Sequence, residues 1–180
     1  MPICALSLLS IILLLLAGGK GHAQQVQPTP YQLKAAFLYR FAQFIDWPAA
    51  SFAEENSPFV IGVVGDNPFG MDLQQTLQGK TLNNHVFLVK EVPSQTAATN
   101  CHMLFISSSE KKRMTQIVTG LGQASTLTVG EMDHFIEAGG MINFFQEGTK
   151  IRFEISEASV KQAGLKISSK LLSLASHPAH

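Results

Sequence analysis

Three pairs of mostly polar residues each stand directly after an apolar run, which is where an α/β protein places its binding residues. In open α/β sheets, ligands bind outside the carboxyl ends of the strands. The pairs are Asp66-Asn67, Ser107-Ser108 and Glu131-Met132. We therefore take these six residues as candidates for binding a ligand or a partner. The alternative is that they only cap the helices that follow the strands.

The first of these turns shows part of a phosphate-binding pattern but lacks the residues that would hold a nucleotide. Gly65 and Gly70 are spaced as in GxxxxG, after which a P-loop needs Lys and Ser or Thr. Met71 and Asp72 occupy those positions, and the Asp72 carboxylate would repel a phosphate. The dinucleotide pattern GxGxxG is missing as well, since Val64 stands where its second glycine should be. Nucleotide binding by either mechanism is therefore not expected, although the helix N-terminus there could accept a carboxylate or another anion.

The side chains that could act as nucleophiles do not indicate catalysis. The sequence has no GxSxG motif, and Cys101 and His102 are adjacent in an expected strand. Adjacent strand residues point to opposite faces, so these two cannot pair with each other. Pairing of Cys101 with His85 or His134 stays geometrically open, but nothing in the sequence singles it out. We therefore predict no catalytic residue.

The histidines and carboxylates do not form the clusters that metal sites need. His102 and His134 are isolated in the sequence. Asp133 and Glu137, at i and i+4, are typical of a solvated helix face. No metal site and no cofactor is predicted.

The composition is that of a folded protein and not of a disordered chain or a nucleic-acid-binding protein. Hydrophobic residues make up 46% of the 180 residues and charged residues 14%, whereas charged residues are roughly 25% of an average soluble protein. The 13 basic and 13 acidic side chains balance to zero net charge, so no basic excess is present to pair with phosphates. The basic cluster Lys111-Lys112-Arg113 is interpreted as a solvated helix face, with contact to an acidic partner as the alternative.

The N-terminal residues predict a secretion signal that is separate from the folded domain. Residues 3–17 are almost unbroken apolar, but this run is shorter than the ~20 residues that a membrane span needs. Gly21-His22-Ala23 then forms a small-x-small cleavage frame, so residues 1–23 are predicted to be a signal peptide. An uncleaved N-terminal anchor is the alternative, because no Lys or Arg precedes the apolar run. After cleavage no stretch would be left that could span a bilayer, and Cys101 would be the only cysteine, which we expect to be buried.

The rest of the chain starts with a well-marked helix. Residues 24–28 are expected to be a disordered linker, residues 29–176 one domain and residues 177–180 a tail. Thr29 fits the N-cap position, Pro30 fits N1, and Gln32 at N3 completes a capping box. We expect this helix to end at Trp47-Pro48. Its expected apolar stripe consists of Leu33, Ala36, Phe37, Phe41, Phe44 and Ile45.

The remaining elements predict the fold class. Strand patterns at 59–64, 85–89, 103–106 and 127–129 alternate with helix patterns, including a short helix around His134 to Ala138, which indicates a mostly parallel sheet. Two further strands, 141–145 and 151–155, are joined by a short turn containing Gly148, as in an antiparallel hairpin. We therefore expect a single three-layer α/β domain. Its open sheet would have about six strands, mostly parallel, with a C-terminal antiparallel hairpin.

Six segments, taken together in their order, resemble the YfiR family of exported proteins. They are KAAFLYRFAQFIDWP (Lys34–Pro48), IGVVGDNPFG (Ile61–Gly70), CHMLFISSSE (Cys101–Glu110), LTVGEMDHFIEAGGMINFF (Leu127–Phe145), KIRFEI (Lys150–Ile155) and AGLKISSKLLSLA (Ala163–Ala175). The resemblance covers nearly all of the chain that follows the expected signal peptide. It implies a periplasmic α/β domain without catalytic activity. Some family members carry cysteine pairs that form disulfides, and this chain lacks them, so redox control does not carry over.

The resemblance also implies a type of partner. The best-understood family members bind the periplasmic part of an inner-membrane diguanylate cyclase and restrain it, and release of that restraint raises cyclic di-GMP and favours biofilm. Other receptors, such as sensor kinases, stay open as the partner here. The alternative function is a periplasmic small-ligand sensor or binding module, which is compatible with the first because a ligand could tune partner binding. A homodimer is left open, and nucleic acid is not expected as a partner.

Overall fold

The computed structural model describes residues 27–93 and 100–176 of the chain. The predicted signal peptide (1–23), residues 24–26 of the predicted linker and the predicted tail (177–180) lie outside the described residues.

Helix α1 spans Pro30–Phe44 and begins with the predicted capping box. Thr29 Oγ1 accepts a hydrogen bond from Gln32 N at 3.1 Å, and Gln32 Oε1 accepts one from Thr29 N at 3.0 Å. The helix ends before the expected Trp47, because Ile45–Asp46 adopts an extended conformation and forms the two-residue strand β1.

The buried face of α1 is rotated from the predicted stripe. Leu33 and Ala36 of the stripe are exposed, whereas Phe41 and Ile45 are buried and Phe37 and Phe44 pack against the core. The other buried side chains of the helix are Ala35, Leu38 and Ala42. Apolar residues surround most of this helix, so their spacing alone could not define the face that packs on the sheet.

Seven strands form one sheet in the order β3-β4-β2-β5-β6-β7-β8. Their bounds are β2 Phe59–Val64, β3 Thr81–Leu82, β4 His85–Val92, β5 Met103–Ile106, β6 Leu127–Gly130, β7 Ile142–Glu147 and β8 Lys150–Ile155. Strands β4, β2, β5, β6 and β7 are parallel, while β3 and β8 are antiparallel edges. A further short strand, β9 (Lys166–Ile167), pairs with β1 outside this sheet. The predicted α/β fold with a C-terminal hairpin is confirmed, and the two-residue strands β1, β3 and β9 are those that the sequence did not predict.

Helices cover both faces of the sheet, which makes the domain three-layered. They are α2 (Asp72–Leu77), α3 (Met114–Gly120), α4 (Glu157–Gln162) and α5 (Ser169–Leu172), in addition to α1. Helix α3 packs on one face, and the other helices bury side chains in the larger core on the opposite face. Strand β2 is buried on both sides, as its unbroken apolar sequence predicts. Among the described helices, none has both the length and the apolar character that a membrane crossing requires.

Aromatic rings fasten α1 to the C-terminal hairpin. The Phe41 ring lies 5.6 Å from Phe144 on β7 and 5.0 Å from Phe153 on β8, centroid to centroid. Each such pair contributes about 0.5–1.5 kcal/mol beyond the area it buries. This packing fixes the C-terminal half of α1 on the β7–β8 hairpin.

Residues 132–139 form turns, and the prediction of a short helix around His134 to Ala138 is wrong. His134 has φ +61°, a conformation that interrupts a right-handed helix. The buried ring of Phe135 fits against two glycines, since a Cβ added at Gly130 or Gly140 would lie 2.8 or 2.3 Å from the ring. The segment therefore wraps around Phe135.

Candidate functional site at the carboxyl end of the sheet

The six predicted site residues lie at one end of the sheet, but their side chains have different surroundings. They follow β2, β5 and β6, three neighbouring parallel strands. Asp66 and Ser108 are exposed, and neither side chain has a hydrogen-bond partner among the described residues. Asn67, Ser107, Glu131 and Met132 are engaged within the fold.

Asn67 and Ser107 act locally as caps. Asn67 Oδ1 accepts a hydrogen bond from Phe69 N at 3.0 Å, and its Nδ2 donates to Glu91 Oε1 at 3.2 Å. Ser107 is buried, and its Oγ accepts from Ser109 N at 3.5 Å at the start of a 3-10 helix, Ser108–Arg113. The capping alternative therefore describes both side chains.

The crevice between β2 and β5, where the strand order reverses, is closed. Such a crevice is the usual ligand site of an open α/β sheet. Gly65 has φ +84°, and a Cβ there would lie 2.4 Å from Ser109 Oγ and 2.7 Å from Glu110 Cγ. Asp66 N also donates to Ser109 Oγ at 2.9 Å. The two loops thus form one continuous surface that carries Asp66 and Ser108.

Glu131 is the centre of an ionic cluster that fastens α1 to the sheet. Lys34 forms an ion pair with Glu131 Oε2, and Tyr31 Oη donates a hydrogen bond to Glu131 Oε1 at 2.8 Å. The side chains of Lys34 and Glu131 are only 14% and 10% exposed. Burial, followed by the hydrogen bond to Glu131 and its negative charge, raises the pKa of Tyr31 to about 12. Tyr31 therefore keeps its proton and remains a donor at neutral pH.

Tyr31 and Lys34 were not predicted from the sequence. Their contacts with Glu131 span 100 and 97 residues, and no local pattern reports a contact of that length. The available signal was their spacing of i and i+3 on one side of α1, which places a hydroxyl and an amine together.

Met132 contributes to the site through its backbone. Its side chain is buried in the smaller core with Phe135. Met132 N donates to Asn143 Oδ1 at 3.0 Å, and Asn143 Nδ2 donates to Glu154 Oε1 at 2.9 Å. This chain of hydrogen bonds fixes the loop after β6 against the hairpin.

A groove of about 570 Å³ lies beside this cluster, between α1 and the β7–β8 hairpin. Two predicted site residues, Glu131 and Met132, line it. Its apolar wall includes Leu33, which is 40% exposed, and the half-buried Phe145 and Ile151. Gln27, Asp133 and Gln146 line it as well, so the groove presents both polar and apolar groups to a ligand.

Charged side chains continue the exposed surface around Asp66 and Ser108. Lys111 Nζ pairs with Asp133 Oδ2 at 2.9 Å, and both side chains are largely exposed. The hydrogen bond and the charge of Lys111 lower the pKa of Asp133 below its ordinary value. Lys112 is exposed beside them. The surface formed by Asp66, Ser108, Lys111, Lys112 and Asp133 is called the carboxyl rim below.

Cys101 and His102 lie on opposite faces of the sheet, as predicted. Cys101 belongs to the smaller core, and a Cβ added at Gly62 would lie 2.7 Å from its Sγ. The His102 ring instead stacks on Phe59 of the larger core, 4.8 Å between centroids. Burial raises the pKa of the Cys101 thiol, which disfavours the reactive thiolate. Across residues 27–93 and 100–176, no three or more His, Cys, Asp or Glu side chains converge as metal ligands would.

Comparison with known proteins places the chain in a family. A family model described as YfiR/HmsC-like matches residues 31–176. A search of curated protein sequences gave no match. The crystal structure of a conserved domain protein from Vibrio cholerae O1 biovar El Tor str. N16961 has a similar fold, with a TM-score of 0.57 and 11% identity. The alignment covers 82% of this chain and 59% of the Vibrio chain, so this chain spans little more than half of that protein. From the match over residues 31–176, the chain belongs to the YfiR/HmsC-like family.

Proposed function

We propose that this protein is a non-catalytic periplasmic regulator that binds the periplasmic part of an inner-membrane signalling protein. Its target is a diguanylate cyclase, which it restrains, so that cyclic di-GMP and biofilm output stay low. The observation that carries the proposal is the family match over residues 31–176. The site is consistent with binding, because among the described residues the polar groups at the carboxyl end either hold the fold together or form an exposed rim.

The carboxyl rim is the surface that we assign to the partner. Asp66 and Ser108 offer hydrogen-bonding groups that the fold does not use, and Lys111, Lys112 and Asp133 supply charges of both signs. Mixed charges of this kind orient a partner and exclude wrong ones. The close contact at Gly65 keeps the two loops in one arrangement. Asn67, Ser107, Glu131 and Met132 support the rim from below.

The cyclase part of the proposal is tested by measuring cyclic di-GMP in the native host with and without the gene. Deletion should raise cyclic di-GMP, and the exported protein should reverse the rise. An unchanged level would contradict the cyclase as the target, and a sensor kinase would then be tested in the same strains.

The rim is tested with two variants that make the same change of charge at opposite ends of the sheet. Asp66→Lys alters the rim, whereas Glu55→Lys alters an exposed residue that precedes β2. In binding to membranes of the native host, Asp66→Lys should weaken binding about tenfold, which is about 1.4 kcal/mol. Glu55→Lys should bind like the unmodified protein. Equal binding of the two variants would contradict the rim as the docking surface.

The groove favours a second function, the binding of a small ligand that tunes the regulator. Its volume of about 570 Å³ and its mixed lining of polar and apolar side chains fit a compact ligand that carries groups of both kinds. A ligand that binds only the folded protein must raise its melting temperature. Extracts of host metabolites should therefore raise the melting temperature of the unmodified protein and not that of Leu33→Arg, which places a charge in the groove. Equal shifts in the melting temperatures of the two proteins would contradict the groove as a ligand-binding site.

A further inference from the structure

The amino end of the sheet contains two buried polar atoms without a partner. Among the described residues, Ser51 Oγ and His102 Nε2 are the buried side-chain nitrogen or oxygen atoms that make no hydrogen bond. Both residues line one cavity of about 410 Å³. Residues 48–57, which include the 3-10 turn Ala49–Ser51, form part of its wall and are called the strap below. A buried polar atom without a partner costs free energy, which is recovered when water reaches it.

His102 is held in the neutral form by its hydrogen bond. Its Nδ1 accepts from Val60 N at 3.0 Å, so the proton of the neutral ring sits on Nε2. The ring is 8% exposed and stacks on Phe52 and Phe59, at 4.5 and 4.8 Å between centroids. A second proton would convert Nδ1 into a donor, and it could then no longer accept from Val60 N.

Phe52 connects the strap to two histidines. Its ring lies between His85, at 3.9 Å, and His102, at 4.5 Å, and it stacks on both. At the other end of the strap, Ser57 O lies 2.6 Å from His85 Nδ1. Since a carbonyl oxygen only accepts, His85 Nδ1 donates, and it would still donate if His85 were protonated. Protonation therefore breaks a bond of His102 and preserves that of His85.

We propose that the strap is an acid-sensitive latch, which opens the amino end of the sheet when His102 takes up a second proton. Protonation removes the bond to Val60 N and places a positive charge among apolar rings. Opening relieves both effects, and it also lets water reach His102 Nε2 and Ser51 Oγ.

The groups that face His102 from the neighbouring elements determine the direction of the pH effect. Burial lowers the pKa of His102 below its usual 6.5, and the charge of His85 on β4 lowers it further. The Ser51 backbone on the strap acts in the opposite direction, although it does not meet Nε2 with hydrogen-bond geometry. Glu54 and Glu55, also on the strap, are exposed. Strand β2 presents Phe59 and Val60, which do not titrate.

The sign of the effect follows from linkage. In the open form His102 is solvated and has an ordinary pKa, whereas the closed form has the lower pKa. The closed form is therefore fully favoured above pH 6.5. It loses stability as the pH falls through that value toward the pKa of the closed form.

Amide hydrogen exchange of the protein at pH 7.5 and pH 5.0 tests the latch. After correction for the intrinsic rates, the amides of the strap and of Val60 should open several-fold more often at the lower pH, because protonation of His102 favours the open form. Amides of the β7–β8 hairpin should be unchanged. Equal acceleration of all amides would show global destabilisation and overturn the proposal. Trp47 is the only tryptophan, and its ring lies 6.2 Å from that of His102. Its fluorescence emission should therefore change over the pH range in which His102 titrates.

Two matched variants identify the histidine responsible. His102→Asn offers an amide oxygen to Val60 N but does not titrate, so exchange of the strap should become independent of pH. The control is His134, which is exposed and has φ +61°, a conformation that asparagine adopts readily. His134→Asn should therefore keep the pH dependence of strap exchange. Persistence of the effect in His102→Asn would overturn the proposal. If that variant does not fold, the NMR titration of His102 in the unmodified protein decides, and a midpoint at or above 6.5 contradicts the latch.

Discussion

The two ends of the sheet differ in how completely their buried polar groups are paired. At the carboxyl end, Glu131 is bound by Tyr31 and Lys34. At the amino end, Ser51 Oγ and His102 Nε2 have no partner among the described residues. A buried group of this kind costs about 1–3 kcal/mol. The rim therefore rests on a fixed base, whereas the opposite end carries the unpaired groups on which the proposed latch depends.

The largest effect is expected from breaking the cluster at the carboxyl end. Glu131→Gln removes the charge that compensates Lys34, and because this pair is 10–14% exposed the loss should be about 3 kcal/mol, the lower limit for breaking a buried ion pair. The midpoint of urea unfolding should fall without a change in the slope. The matched control is Asp133→Asn, because the exposed pair of Asp133 with Lys111 should contribute nothing measurable. Similar midpoints for the two variants would contradict a fixed carboxyl end.

A second variant tests the contact that closes the crevice. Gly65→Ala and Gly70→Ala both place a side chain at a positive φ, but only Gly65 has atoms within 4 Å of the added Cβ. Gly65→Ala should therefore be less stable than Gly70→Ala by about 1–3 kcal/mol, the usual cost of overpacking. Thermal unfolding of the two proteins measures the difference. Equal melting temperatures would show that the loops can separate without cost.

A smaller effect is expected from the hydrogen bond of Tyr31. Tyr31→Phe keeps the ring but leaves Glu131 Oε1 without its donor at 2.8 Å. Hydrogen bonds to charged groups are worth about 1.5–3 kcal/mol, and partial exposure places this one at the lower limit. Urea unfolding at pH 7 measures the loss. If the variant is as stable as the unmodified protein, the hydrogen bond of Tyr31 does not contribute to the stability of the cluster.

The smallest effect on stability is expected at the amino end, from the removal of the hydroxyl group of Ser51. Ser51→Ala removes a hydroxyl that has no partner among the described residues, so stability should be unchanged or slightly higher. Tyr31→Phe and Ser51→Ala each remove one hydroxyl group, so the difference between their stabilities compares a paired group at the carboxyl end with an unpaired group at the amino end. A clear loss of stability would mean that Ser51 Oγ has a partner in solution, and the contrast between the ends would then disappear.

Local rules predicted most of the fold. The capping box at Thr29, the buried strand Phe59–Val64 and the hairpin around Gly148 are confirmed, because each depends on residues close in sequence. The buried face of α1 was predicted only in part, at Phe37, Phe41, Phe44 and Ile45, since apolar residues lie on most of its sides. The turns around Phe135 replaced a helix because a ring packed between Gly130 and Gly140 outweighs local helix formation.

The location of the six candidate residues was predictable, and their separate contacts were not. Strand polarity brings Asp66, Ser107 and Glu131 to one end of the sheet, as the sequence indicated. Their separate roles depend on distant partners, such as Tyr31 for Glu131. The unpaired atom of His102 depends on where the strap lies, which no local pattern encodes. The part that the six residues play in binding stays a prediction.

The packing of α1 against the hairpin has a consequence for the order of events during synthesis. Phe41 and Phe153 are in contact although 112 residues separate them along the chain. At typical rates a ribosome needs roughly ten seconds to add that length. During this time Phe37 and Phe41 lack the rings of Phe144 and Phe153, on which they pack in the complete domain. Contacts between such distant residues also slow folding. The domain can therefore complete its core only when nearly the whole chain is available, and a fragment that ends before β7 should expose Phe41 and depend on chaperones.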